Sequence, residues 1–239
     1  MTDHTVRRFD NELRELAIRI TRMGGLCEQA LTDAAIALKR QDTGAAMVVI
    51  DEDMRIDGLE RETEELAIQM IARRQPMAGD LREIVAAVKI AADLERIGDL
   101  AKNIAKRVVA LQDQAQPARI IRGLDHISEL ALQQLKDVLD AYTRRDADKA
   151  VVVWRRDSDL DAVYTSIFRE LLTYMMEDPR NITLCTHLLF AAKNVERIGD
   201  HATNIAENIH YLVTGETLDT ERPKSDESSL TTVSPEGDD

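Results

Sequence analysis

Two stretches of the chain, Lys89 to Leu111 (KIAADLERIGDLAKNIAKRVVAL) and Phe190 to Leu212 (FAAKNVERIGDHATNIAENIHYL), match at 11 of 23 positions with an offset of 101 residues. Ordinary composition yields about one or two such identities. The chain is therefore an internal duplication, and whatever fold it adopts must be built twice. A second register, offset by 104, aligns Val48 to Asp57 (VVIDEDMRID) with Val152 to Asp161 (VVWRRDSDLD) and pairs Asp33 with Asp137 and Asp42 with Asp146. The three-residue slip falls between these blocks, where a turn containing Pro76 in one half answers a turn containing Pro179 in the other. Each half is one three-element unit, residues 1–115 and 116–213, followed by an acidic tail over 214–239 that reads as disordered.

The elements read as long helices. Aromatic residues are 3% of the chain, and only 10 Gly and 5 Pro interrupt it. Breaks fall at Gln41-Asp42-Thr43-Gly44, Gln75-Pro76, Gln116-Pro117, Arg145-Asp146 and Asp178-Pro179, where Pro and small polar residues stop one helix or cap the next. The spacing predicts helices over 5–40, 43–73 and 79–112, repeated over 119–143, 146–176 and 181–213, with kinks at Gly24-Gly25 and Gly123. In the third helix Ile90, Leu94, Ile97, Ala101, Ile104, Val108 and Leu111 form a seam, repeated by Ala191, Val195, Ile198, Ala202, Ile205, Ile209 and Leu212. Short connections make neighbours antiparallel. The expected fold class is all-α, two tandem pseudo-symmetric three-helix bundles.

Charge narrows the function classes. With 31 basic and 44 acidic residues the net charge is −13, which argues against a generic nucleic-acid binder. No apolar run approaches the roughly 20 residues a membrane-spanning helix needs, and the first 20 residues are charged rather than signal-like, so a cytoplasmic location is expected. Cys27 and Cys185 lack the spacing of a disulfide framework or a zinc knuckle.

The acids themselves are patterned. Glu95, Asp99 and Asn103 lie four residues apart on one line of the third helix, and Glu196, Asp200 and Asn204 copy that line. Neighbouring positions differ between the copies: Lys102 answers Thr203, Lys106 answers Glu207 and Arg107 answers Asn208, which reads as drift at exposed sites. The second helices add Asp53 and Asp57, aligned with Asp157 and Asp161. Both doublets lie at similar distances from their turn, so an antiparallel pair of helices brings four carboxylates to one height in each half. Such patches, read as open to solvent, raise one another's proton affinity unless a cation sits among them, and hard oxygen ligands suit oxygen-loving metal ions. Arg96 and Arg197 either neutralise the patch or reach into water, and Gly98 and Gly199 provide either close helix packing or room beside the acids.

At these residues the sequence resembles the PhoU family of phosphate-signalling regulators: ERIGD-x-A-x-N-I-A stands at 95–105 and again at 196–206. The resemblance implies metal ligation by Asp53, Asp57, Glu95 and Asp99 in one half and Asp157, Asp161, Glu196 and Asp200 in the other, with Asn103 and Asn204 completing the coordination. The metal implied is Fe, Zn, Mn or Mg. It also implies a non-enzymatic negative regulator of phosphate uptake and of the phosphate-starvation response, acting through a PhoR-type histidine kinase and the Pst transporter ATPase subunit (PstB). Membrane contact would come only through those partners. A homodimer is expected, because elongated bundles leave long faces.

Two alternatives stay open. A carboxylate-bridged di-iron enzyme would take Glu-x-x-His motifs from facing helices. Glu207 to His210 spells one, but its counterpart, Lys106 to Val109, has neither ligand. A helical scaffold without metal would tolerate the acid stripe without needing it. His201 has Leu100 as its counterpart and reads as a solvated histidine.

Overall fold

The structure, a computed structural model, describes residues 2–112 and 114–218, with side chains from residue 9 onward. The residues 219–239, which carry most of the acidic tail, lie outside the described residues. The described chain is all-helical: α1 (Thr2–Arg40), α2 (Thr43–Glu52), α3 (Met54–Arg74), α4 (Gly79–Ala110), α5 (Ala118–Arg144), α6 (Ala147–Arg155), α7 (Asp157–Glu177), a 3₁₀ turn (Pro179–Asn181) and α8 (Ile182–Thr214). At about 1.5 Å per residue, α4 is about 48 Å long.

The turns use the same chemistry twice. Gln41 and Arg145, with φ of 56° and 51°, take the left-handed conformation that ends a helix. The next residue's N–H reaches back into the finished helix, Asp42 to the Ala37 carbonyl (3.0 Å) and Asp146 to the Ala141 carbonyl (2.9 Å). The aspartates then cap the following helix, Asp42 Oδ1 accepting from Ala45 N and Asp146 Oδ1 from Lys149 N, each at 2.9 Å.

α1 to α4 pack together as one bundle and α5 to α8 as its pseudo-symmetric copy, while α4 and α8 lie against each other along the most extensive interface in the molecule. Both predicted seams are buried over their whole length, from Ile90 to Leu111 and from Ala191 to Leu212. They join a single apolar core that runs through both halves, so the bundles share one interior.

Three local expectations change. First, the middle helix of each half is two helices. The Asp53 carbonyl accepts from both Ile56 N (2.9 Å) and Asp57 N (3.3 Å), a local 3₁₀ tightening that interrupts the α-helical ladder. In the second half Arg156 N bonds the Val153 carbonyl (3.1 Å) three residues back, with the same effect one residue before Asp157. Second, α1 and α5 run unbroken through Gly24-Gly25 and Gly123. Gly24 provides close approach: a Cβ there would stand 2.5 Å from Leu139 Cδ2. Third, α8 begins at Ile182, after the 3₁₀ turn opened by Pro179.

Candidate functional site

Each interruption in the middle helices falls at or beside an acid of the repeated set, and this aims the carboxylate inward against the third helix. Asp53 is 5% exposed and Asp157 2%, although both lie in charged, polar sequence. The repeated glycine of the third helix makes the space. A Cβ on Gly98 would stand 2.8 Å from Ile56 Cδ1 and 3.3 Å from Asp53 Oδ1, and one on Gly199 would stand 3.1 Å from both Leu160 Cδ1 and Gln134 Oε1. Both readings of the glycine hold together, since close packing and room beside the acid are one feature.

In the first half Asp53, Asp57, Glu95 and Asp99 lie within electrostatic reach of one another, and in the second Asp161, Glu196 and Asp200 do, while Asp157 is held at Thr203. In the first half burial raises the proton affinity of Glu95, and the charges of Asp99 and Asp57 raise it further, with Arg96 opposing. Burial also raises that of Asp53, with Lys102 opposing. Asp57 and Glu95 therefore share one side of the bundle. In the second half burial, followed by the charges of Asp200 and Asp161, pushes Glu196 up to about 7 against the pull of Lys193.

The expectation of solvent-open quartets is corrected by the burial. Asp161 and Glu196 are each 4% exposed, while Asp57, Glu95, Asp99 and Asp200 are half-buried. The α6–α7 and α2–α3 interruptions tilt the acids beneath the surface, which a pattern of straight helices cannot show.

What balances the charge differs between the halves. The Lys102 ammonium donates to Asp53 and, at 2.6 Å, to Asp99 Oδ1. Burial works against its charge, but Asp53 and Asp99 more than offset this and raise its pKa. Arg96 lies outside, with Nε 3.4 Å from Glu95 Oε2 and Nη1 3.6 Å from Asp99 Oδ2. At the place of Lys102 the second half has Thr203, fully buried, whose hydroxyl accepts from Gln134 Nε2 (3.0 Å) and has two acceptors within reach of its one proton, Asp157 Oδ1 (3.0 Å) and the Gly199 carbonyl (3.1 Å). Lys193 reaches Glu196 Oε1 at 2.8 Å. Lys102 and Thr203 thus lie inside the sites, and the reading of that difference as exposed drift was wrong.

The asparagines do not act as a pair. Asn204 Nδ2 donates to Asp93 Oδ1 of the other half at 3.3 Å, beside His201 Nδ1 on the same oxygen at 2.9 Å. Asn204 and His201 therefore tie α8 to α4, and His201 is not a solvated side chain. Asn103 is half-buried on the equivalent line, where Asn194 stands in place of Asp93.

The donors suit a hard cation, since all eight acids offer oxygen. Asp53 Oδ1 and Glu196 Oε2 are buried with no hydrogen-bond partner among the described residues. Among the described residues, however, no three His, Cys, Asp or Glu side chains form a ready-made metal cage. Each half already holds an ammonium of its own chain, Lys102 on Asp53 and Asp99 in the first and Lys193 on Glu196 in the second.

The fold and site define a class: a duplicated helical bundle whose distinctive chemistry is one partly buried carboxylate quartet per repeat. The PhoU domain model matches residues 20–108 and 124–209. A Rhizobium meliloti (strain 1021) protein named phosphate-specific transport system accessory protein PhoU homolog is 58% identical over 226 residues, 95% of each chain. One of the same name from Caulobacter vibrioides (strain NA1000 / CB15N) is 52% identical over 95% of this chain and 98% of its own. The crystal structure of PhoU from Pseudomonas aeruginosa superposes with a TM-score of 0.84 at 41% identity, covering 87% of this chain and all of that one. The chain belongs to the PhoU family.

Proposed function

We propose that this protein is an accessory regulator of phosphate-specific transport that restrains phosphate uptake and the phosphate-starvation response by protein contact, without catalysing a reaction. The observation that carries this reading is near full-length similarity to proteins named as accessory to phosphate-specific transport. Among the described residues no helix is long and apolar enough to cross a membrane, so contact with a transporter would run through its partner subunits. The partners we assign are the Pst ATPase subunit and a PhoR-type histidine kinase, and the working form is a homodimer in the cytoplasm.

The surface over the first quartet supports docking. Met47, Val48 and Met54 expose apolar side chains around the α2–α3 interruption, Met54 by 72%. We assign the carboxylates Asp53, Asp57, Glu95 and Asp99, and Asp157, Asp161, Glu196 and Asp200, the capacity to hold a cation of the Fe, Zn, Mn or Mg kind. A cation held there, whether a metal ion or an ammonium of the chain itself, would neutralise crowded carboxylates and stiffen the helix pair that presents the docking surface. Asn103 remains a candidate ligand, while Asn204 would have to leave Asp93.

Replacing Glu95 and Asp99 by Ala together should keep helicity by circular dichroism, weaken capture of the ATPase subunit and the kinase from phosphate-replete cells, and relieve repression of the phosphate-starvation response. Full repression and undiminished capture in that variant would refute the docking reading.

A further inference from the structure

Lys102 does in the first half what a bound cation would do. Its ammonium stands between carboxylates from two different elements, Asp53 at the α2–α3 interruption and Asp99 on α4. The arrangement is largely removed from water, with side chains 20% exposed for Lys102, 5% for Asp53 and 30% for Asp99. The second Asp53 oxygen, Oδ1, is buried without a hydrogen-bond partner. One ammonium thus leaves an acceptor oxygen of the most buried aspartate of this half unused. The equivalent position of the second half, Thr203, brings a hydroxyl and no charge.

We propose that Lys102 is a tethered cation: its ammonium takes the place of a divalent ion in the first quartet and closes that half to metal. The inference deepens the cation-binding reading and rests on it in one respect, that these carboxylates form a cation site. A divalent ion entering the first quartet has to displace a charge that is covalently attached and already in place. The two repeats then differ in how their ammonium sits: Lys102 bridges carboxylates from two elements, whereas Lys193 reaches Glu196 three residues along its own helix.

The test is calorimetric titration of the full chain with Mn²⁺ after chelator treatment, together with thermal melting. Lys102→Met should lower the melting temperature in chelator by roughly 5–10 °C, because Asp53 is left buried beside Asp99 without its cation. It should bind one more equivalent of Mn²⁺ than the wild type and recover most of the lost melting temperature when Mn²⁺ is added. The double variant Asp53→Asn with Lys102→Met should melt closer to the wild type and gain no equivalent. The idea is overturned if Lys102→Met binds no more Mn²⁺ than the wild type. Should Lys102→Met aggregate, Asp53→Asn alone decides the matter. An unchanged Mn²⁺ count supports the inference, and a lost equivalent means that metal already occupied the first half. Partner capture by the Glu95 and Asp99 variant is read separately, so failure of the docking reading leaves this count untouched.

Discussion

The two carboxylate quartets share a backbone plan and solve its electrostatic problem differently. In the first, Ala30 and Lys102 stand where the second has Gln134 and Thr203. The first stabilises its most buried aspartate, Asp53, with an ammonium, and the second stabilises Asp157 with a hydroxyl that is itself held by an amide. The second quartet is also drier, since Asp157, Asp161 and Glu196 are all at most 4% exposed, whereas Glu95 and Asp99 in the first are half-buried. Duplication conserves geometry more readily than charge balance, because backbone packing involves many residues while charge can be supplied from several positions.

The largest expected effect that distinguishes the quartets is a pH dependence carried by Glu196. The native carboxyl holds its proton up to about pH 7, while the unfolded chain releases it near 4.5. The native state therefore binds more protons in that window, so the favourable contribution is complete below about 4.5 and lost as pH rises towards about 7. With chelator present, urea unfolding should show the protein weaker at pH 8 than at pH 5 by about 1–3 kcal/mol. Glu196→Gln should remove most of that slope, and an equal slope in both proteins would place the titration elsewhere.

Next in size is Thr203→Val, which takes the hydroxyl from Asp157 and leaves Gln134 Nε2 without its acceptor. A loss of about 1–3 kcal/mol in chemical denaturation is expected, and a loss below about 0.5 kcal/mol would mean that the neutral network is not what holds Asp157.

Smaller again is Glu207→Ala. Trp154 Nε1 donates to Glu207 Oε1 at 2.9 Å, a contact with no equivalent in the first half, where Ile50 and Lys106 take these places. Loss of about 1 kcal/mol is expected, with a change in the emission of the single tryptophan. Unaltered emission and stability would show that the bond is not maintained.

Smallest, and of opposite sign, is Gly58→Ala, which gives α3 the alanine that α7 has as Ala162. An added Cβ meets nothing within 4 Å, so a gain of about 0.5–1 kcal/mol is expected from helix propensity alone. A loss would reveal a close neighbour in solution.

Much of this architecture was legible in the residues. The duplication, the six helical regions and the buried seams follow from offset and period. The chain itself determined these because a seam of apolar residues at steps of three and four has one way to face a core, and short turns leave few ways to fold back. What only the tertiary structure decided concerns residues whose neighbours are remote in sequence: the inward tilt of Asp53 and Asp157, Asn204 and His201 meeting Asp93 across the halves, and Lys102 lying between two carboxylates rather than in water. A charged side chain near a helix flank reads the same in sequence whether it meets solvent or an acid from another helix. The difference lies in how closely helices approach, here set by Gly98 and Gly199 and by the interruptions at Asp53 and Arg156.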